Sequence, residues 1–289
     1  GFVNIIGNPN VGKSTLMNAL VGEKLSIVTA KAQTTRHRIM GILNGEDFQI
    51  VFSDTPGILK PKYGLQESMM NFVDTAFTDA DIILYVTDIV ETPSKNIEYI
   101  EKLNSVKVPT LILINKIDKS NQLKLTTLVE TWHNLVPGAE ILPISALEKF
   151  NTDLILRKIT SLLPQSPAWF DKDTFTDKNL RFFASEIIRE KIFLNYEKEI
   201  PYSCEVVIET FKEEETIFKI ESIIYVERDS QKGIIIGSKG DSLKKVATEA
   251  RKDMETFFEK RVFLQIFVKV NSDWRGDKDK LKRFGYITD

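Results

Sequence analysis

Eight residues, Gly7-Asn8-Pro9-Asn10-Val11-Gly12-Lys13-Ser14, constrain this chain more than any other stretch, and Thr15 follows them. They fit the pattern G-x-x-x-x-G-K-[ST] and stand between a short apolar run, Phe2 to Ile6, and a segment of helical apolar spacing, Lys13 to Val21. Glycines let such a loop curl until its N–H groups converge on phosphate oxygens, and the helix that follows adds partial positive charge at its first turn. Lys13 then bridges the outer phosphates, and Ser14 holds Mg²⁺. The alternative is a structural glycine turn.

Strand signals recur at Phe48 to Ser53, Ile82 to Thr87, Thr110 to Asn115 and Ile141 to Ser145, with helical spacing between them. Short runs separated by helices predict an α/β fold: a P-loop NTPase G domain with a mostly parallel, doubly wound sheet and ligand loops at the carboxyl ends of its strands. At 289 residues and 33.0 kDa there is room for a second domain. The longest apolar runs have strand length, so none spans a bilayer, and no signal peptide is visible. Cys204, the one cysteine, excludes an internal disulfide and a cysteine-rich metal site, which makes a cytosolic setting the default.

Three further motifs fall on strand ends. Asp54-Thr55-Pro56-Gly57 offers a carboxylate for Mg²⁺, through water, and at Gly57 a backbone N–H that can approach a terminal phosphate; by itself it also reads as a β-turn. Asn115-Lys116-Ile117-Asp118 chooses between nucleotides. Guanine presents N1–H and N2–H₂ as adjacent donors that the Asp118 carboxylate can accept, whereas adenine offers a lone pair that repels it. A site built for one hydrogen-bonding pattern rejects an analogue lacking it by as much as about 10⁴ to 10⁵. Asn115 would tie loops together, and the Lys116 stem would cover the base face. Ser145-Ala146-Leu147 follows the last strand, where an N–H could reach guanine O6; the alternative is a plain strand-to-helix turn. Between the first helix and the next strand, Ser26 to Arg38 reads as an order–disorder switch in which Thr34 or Thr35 completes the Mg²⁺ shell.

The alternation ends near Leu163-Pro164-Gln165-Ser166-Pro167, so the first domain is expected over 1–164, a linker over 165–178 and a second domain over 179–289. The second begins with a helix, Leu180 to Tyr196, and two alternating strands, Cys204 to Phe211 and Phe218 to Glu227, with a charged turn at Glu213-Glu214-Glu215 between them. A glycine loop, Gly233 to Gly240, then enters a helix with apolar positions Leu243, Val246, Ala247, Ala250, Met254 and Phe257, and a strand runs from Val262 to Val270. Gly237-Ser238-Lys239-Gly240 has the G-x-x-G spacing of a KH loop, and the element order is that of a type II KH domain, which grips single-stranded nucleotides. Candidate RNA contacts are Ile236, Gly237, Ser238, Lys239 and Gly240, with Lys244, Lys245 and Arg251 on the helix; a solvated charged face is the alternative. Net charge is −2, but Arg181 to Glu227 carries 6 basic and 11 acidic residues and Arg228 to Asp289 carries 15 and 10, a modest pointer to a polyanion. The tail, Trp274-Arg275 through Tyr286, either packs on the sheet or extends the RNA surface.

With these motifs in place the chain resembles the Era family of bacterial GTPases, over nearly its whole length. The resemblance implies that Thr35 rather than Thr34 is the metal ligand, and that Lys13, Ser14, Thr35, Asp54 and Gly57 form the catalytic group. It also matches Asn10 to an asparagine that in related GTPases coordinates K⁺; a loop-stabilising asparagine is the other reading. The implied partners are GTP or GDP and the 3′ region of 16S rRNA in the small ribosomal subunit, for a cytoplasmic monomer. Contact with the inner membrane is a further implication, for which the sequence offers no amphipathic helix. Other readings are a different cation-dependent GTPase with another RNA or membrane partner, an ATP-consuming enzyme, against which Asn115 and Asp118 argue, and a binding module without turnover. One departure from the family is the loop Gly237 to Gly240, where Era proteins usually read Gly-Lys-Gly-Gly.

Many GTPases place a glutamine after Asp-x-x-Gly to orient the attacking water, and Ile58 stands there instead. Isoleucine cannot hydrogen-bond water. Single-turnover hydrolysis is therefore expected to survive largely intact in Ile58→Ala and to be abolished in Lys13→Ala or Ser14→Ala; a collapse of the rate in the Ile58 variant would contradict this reading.

Overall fold

A strand covered on both faces needs an apolar side chain at nearly every position, and the short runs of the N-terminal half meet that demand. The computed structural model describes residues 1–287 and divides into two units. The first comprises Gly1–Pro61 and Met69–Asp177; the second comprises Lys62–Ser68 and the chain from Lys178 onward. In the first, β1 (Phe2–Gly7) leads into α1 (Lys13–Val21), followed by β2 (Ile39–Asn44) and β3 (Gln49–Asp54). Then come α2 (Gly64–Thr78), whose first five residues fall in the second unit, β4 (Ile82–Asp88), α3 (Ile97–Ser105), β5 (Thr110–Asn115), α4 (Gln122–Leu135), β6 (Glu140–Pro143) and α5 (Thr152–Leu162). Every residue of β3, β4 and β5 is buried.

The sheet order is β2-β3-β1-β4-β5-β6, parallel throughout except that β2 runs antiparallel to β3. Because β1 is followed by β3 on one side and β4 on the other, a crevice opens at the carboxyl ends of these strands. The loops after β1, β3 and β5 all emerge there. The strand β2 was not expected. Its sequence, Ile39-Met-Gly-Ile-Leu-Asn44, has no two-residue alternation, and its pairing is set by the hairpin, with Gly45 N–H donating to the Phe48 carbonyl at 2.9 Å. Asn44-Gly45 was the available turn signal.

Where the sequence suggests a linker over 165–178, the chain is bonded to this edge. Gln49, buried at the start of β3, accepts from the Trp169 and Phe170 N–H groups through Oε1 at 2.7 and 3.0 Å and donates from Nε2 to the Phe170 carbonyl at 2.8 Å. Further along, Ile42 N–H donates to the Phe175 carbonyl at 2.8 Å and the Thr176 hydroxyl to the Met40 carbonyl at 2.6 Å. The segment blunts what would be an open sheet edge.

In the second unit α6 (Leu180–Asn195), α7 (Ile200–Ser203), β7 (Glu205–Glu213) and β8 (Ile217–Val226) precede α8 (Asp229–Ile236), α9 (Asp241–Phe258), β9 (Arg261–Val270) and α10 (Lys278–Arg283). β7 and β8 are antiparallel, and β8 and β9 are parallel through ten pairs, which a crossover of α8 and α9 permits. One sheet face and these helices enclose a core of Ile188, Ile192, Ile220, Ile224, Ile235, Val246, Ala250 and Met254. A helix occupies 229–236, where a glycine loop is expected from Gly233. Gln231 caps it, accepting from the Glu227 and Arg228 N–H groups, and fully buried Ile235 anchors it, outweighing the roughly 1 kcal/mol penalty of a mid-helix glycine. The tail packs rather than projecting: Trp274 is fully buried with Nε1–H on the Ser203 carbonyl, and the Tyr286 hydroxyl donates to Glu205. Thr288 and Asp289 of the expected second domain lie outside the described residues.

Removing the buried Gln49 amide deletes its hydrogen bonds to exposed Trp169 and half-buried Phe170, whose freed groups can reach water, so Gln49→Ala is expected to lower stability by about 1 kcal/mol. Hydrogen exchange at Trp169 and Phe170, followed by mass spectrometry, should accelerate selectively; unchanged protection would show that the clasp contributes nothing.

Candidate nucleotide and nucleic-acid sites

Helix α1 starts at Lys13 directly after a loop residue, Gly12, in left-handed conformation (φ 99°), so the loop turns sharply into the helix and points its first N–H groups outward. Lys13 lies buried at the floor, its Nζ donating to the Asn8 carbonyl at 2.8 Å. Burial lowers its pKa to about 8, against the pull of Asp54 and Glu91. Ser14 Oγ donates to Asp54 Oδ2 at 2.6 Å and stands 2.9 Å from Thr35 Oγ1. Asp54 is fully buried, which pushes its carboxyl up despite the Ser14 hydrogen bond and the Lys13 charge.

The other oxygen of that carboxylate, Oδ1, is buried without a hydrogen-bond partner. An acceptor left this way is costly unless something electropositive meets it. Two hydroxyls and a carboxylate converging on one point suit a hard cation with oxygen ligands, so the residues present fit Mg²⁺. Thr34 turns the other way: its hydroxyl donates to the Lys31 carbonyl at 2.7 Å and lies 2.6 Å from Thr29 Oγ1. Of the two threonines, only Thr35 adjoins Ser14.

Gly57 crosses against the phosphate loop. A Cβ there would lie 2.7 Å from both Cα and N of Pro9, closer than side chains come. Thr55 donates to the Ile5 carbonyl at 2.7 Å, Pro56 lies between them, and Ile58 is buried with its N–H on the Gly7 carbonyl at 3.1 Å. A cavity of about 360 Å³ is bounded by Pro9, Asn10, Lys13, Ser14, Thr35 and Gly57.

A second cavity, about 140 Å³, adjoins Gly12 and Thr15 and is lined by Asn115, Lys116, Asp118 and Ser145. Asn115 donates to the Val11 carbonyl at 2.8 Å and accepts from Ala146 N–H at 2.9 Å. Ser145 Oγ donates to Asp118 Oδ1 at 2.7 Å, leaving that carboxylate oriented at the cavity wall. Lys116 Nζ donates to the Asn10 carbonyl and to Asp88 Oδ2, each at 2.6 Å. Two residues here escaped the sequence reading. Asp88 ends β4 as Asp54 ends β3, and that shared position was the available signal. Arg38, at the end of the switch loop, donates from Nε to Ser53 at 2.5 Å and from its terminal nitrogens to Asp79 and Asn4; nothing in the sequence marked it.

In the second unit Gly237 has φ 73° and ψ −179°, a region that disfavours any side chain, and an added Cβ would lie 2.2 Å from Ser242 Oγ. Ser238 and Lys239 are exposed, Ile236 and Gly240 half-buried. Lys244 is exposed and, like Lys239, in no ion pair among the described residues. Arg251 has its guanidinium bound by both oxygens of Glu255 at 2.9 and 2.8 Å, and Lys245 lies 3.9 Å from Glu249. Lys239 and Lys244 carry the uncompensated charge.

Comparison with known proteins bears on both units. The family described as "50S ribosome-binding GTPase" matches residues 2–116, and the KH domain family matches residues 199–275. GTPase Era of Syntrophus aciditrophicus is 46% identical, covering 99% of this chain and 94% of its own, and GTPase Era of Clostridium kluyveri is 42% identical over 99% and 98%. The chain belongs to the Era family of GTPases. Among solved structures, a point variant of Aquifex aeolicus Era bound to GDP and AlF₄⁻ is similar at a TM-score of 0.95, with 38% identity and coverage of 100% and 99%. Era in complex with MgGDPNP and nucleotides 1506–1542 of 16S ribosomal RNA is similar to the same degree. The Era-family fold is thus a G domain with a mostly parallel sheet and a C-terminal KH domain.

A methyl group on Gly57 must push the backbone away from Pro9. Gly57→Ala is expected to weaken binding of a non-hydrolysable GTP analogue at least about tenfold by calorimetry. Wild-type affinity in that variant would show that the close approach has no part in the site.

Proposed function

We propose that this Era-family GTPase acts on GTP through Lys13, Ser14, Thr35, Asp54 and Gly57 and couples the nucleotide to 16S rRNA held by its KH domain during small-subunit biogenesis. The observation that carries this reading is the convergence of Ser14, Thr35 and the unpartnered Asp54 oxygen beside the phosphate loop.

The N–H groups of the loop Gly7 to Thr15, all but that of Pro9, which has none, and the Lys13 ammonium would hold the phosphates, and buried Lys13 loses little mobility on meeting them. Ser14, Thr35 and, through water, Asp54 would hold Mg²⁺, which when bound neutralises developing charge on the β- and γ-phosphate oxygens. Thr55, Pro56 and Ile58 set the path of the chain past the γ-phosphate, with Gly57 nearest. Ile58 offers no hydrogen bond to water, so turnover is slow and rests on the phosphate-side donors, with K⁺ at Asn10 a further contributor. Asp118 accepts from the guanine N1–H and N2–H₂ and is held by Ser145, while the Ala146 N–H, expected to reach O6, is given instead to Asn115, which ties this loop to the phosphate loop.

The solved Era complex with 16S nucleotides supports rRNA as the partner, and Ile236 to Gly240 with Lys239 and Lys244 are the contacts, Lys245 and Arg251 being partly compensated. Ribosomal RNA as partner supports a cytoplasmic setting; action as a monomer and contact with the inner membrane rest on family likeness alone. GTP would order the loops around Thr35 and Gly57, and hydrolysis would release them and lower RNA affinity.

An RNA bearing the 3′ end of 16S rRNA is expected to bind at least about tenfold more tightly with a non-hydrolysable GTP analogue than with GDP, and excess ATP should not displace either nucleotide. Equal RNA affinity in the two states would refute the switch, and displacement by ATP would refute the guanine site.

A further inference from the structure

The Lys116 ammonium spans two loops. Its own backbone is left-handed (φ 64°), as is that of Asn10 (φ 64°), and its Nζ closes on the Asn10 carbonyl at 2.6 Å. The second acceptor is Asp88, on a third loop, also at 2.6 Å. That carboxylate is divided between two tasks. Oδ1 accepts from the Val90 and Glu91 N–H groups, both at 2.9 Å, and shapes the turn after β4, while Oδ2 is given to Lys116. The aspartate side chain is 9% exposed and that of the lysine 32%. Burial opposes the charge on Asp88, yet hydrogen bonds from Lys116, Val90 and Glu91 hold its carboxyl below the usual carboxylate range.

A lysine stem is floppy and strongly hydrated at its tip, and one carbonyl acceptor is a weak restraint on it. A charged acceptor buried on the far side turns it into a fixed strut. We infer that Asp88 is a positioning residue of the guanine site: acting through Lys116, it fixes the spacing of the phosphate loop and the base-binding loop and so sets how long a guanine nucleotide stays bound. The inference rests on the guanine site proposed above. Lys116 lines both cavities, but its hydrogen bonds go to Asn10 and Asp88 and not to Ser14, Thr35 or Asp54, so GDP and GTP feel the strut alike and the chemical step does not.

Asp88→Asn separates the two tasks of the carboxylate. Its oxygen can still accept from Val90 and Glu91, but an NH₂ group replaces the anion facing Lys116. In the full chain, release of a fluorescent GDP and of a fluorescent non-hydrolysable GTP analogue is expected to quicken by a similar factor, about tenfold, with KM for GTP rising in step and kcat changing less than about twofold. Lys116→Met keeps the stem without the ammonium and is expected to quicken release too. Adding Asp88→Asn to it should then change release by less than about twofold, because the charge has nothing left to act on. A merely structural role would instead leave the two effects multiplicative, and that result overturns the inference, as do wild-type release in Asp88→Asn or a fall in kcat at unchanged KM. Failure of the wild-type protein to hold any guanine nucleotide would instead refute the reading beneath it.

Discussion

One side-chain amide joins three loops that the chain gives no covalent reason to meet. Asn115 ends β5, donates to Val11 in the phosphate loop and accepts from Ala146 after β6, and it is almost wholly buried. Neither partner could find water if the amide were lost, so each bond carries the larger cost of an unsatisfied buried group, about 1–3 kcal/mol, rather than the smaller net gain of an exposed one. The sheet makes this possible. Parallel strands deliver their following loops to the same edge, and only there can a polar side chain on one strand reach the backbone of two neighbours.

Around that tie the charges are arranged in advance. Lys13 and Asp54 lie buried near each other, with half-buried Glu91 also near the lysine and hydrogen-bonded by Thr87 at 2.8 Å. Desolvation pushes the lysine down and both carboxyls up, so each group tolerates its charge because the others are present. Side chains locked by such mutual dependence need little rearrangement when further charge arrives, which is the physical content of preorganisation. The switch loop is tied within itself through Thr29, Lys31 and Thr34, is anchored by buried Ile27 and Arg36, and meets the site through the contact between Thr35 and Ser14, while Arg38 behind it is gripped by Ser53, Asp79 and Asn4.

Much of this was legible in the sequence because the demands are local. Doubly buried strands need unbroken apolar runs, and β3, β4 and β5 were found within a residue of their ends; a phosphate loop needs glycine and lysine at set spacing. What escaped was set by partners far along the chain. β2 lacks alternation because its pairing comes from a hairpin and from residues 175 and 176, over a hundred positions later. Helix α8 contains Gly233, whose propensity argues against a helix, and forms because Ile235 is drawn into the core. Asp88 carries no motif, and its significance is the cation opposite, Lys116, which spacing cannot reveal; Glu255, four residues after Arg251 on one helix, was legible as an i,i+4 partner and was missed.

The loop Gly237 to Gly240 shows how a departure from a family pattern can be kept. Lys239 occupies a left-handed conformation (φ 52°, ψ 20°) at a position where Era loops usually carry glycine, and a side chain there costs about 1–2 kcal/mol. Nothing buried compensates, since Lys239 is exposed, and Gly240 beside it has open space around it. The strain therefore has no structural beneficiary within the domain. Lys239 stands on the turn that leads into α9 at Asp241, so its positive charge is close in the chain to the positive end of the helix dipole. A glycine would relax the turn, and a lysine one residue earlier, at Ser238, where the family pattern puts it, would keep the charge without the left-handed cost. The loop therefore keeps a positive charge next to a helix N-terminus through a different residue from the family pattern, at the cost of one left-handed side chain.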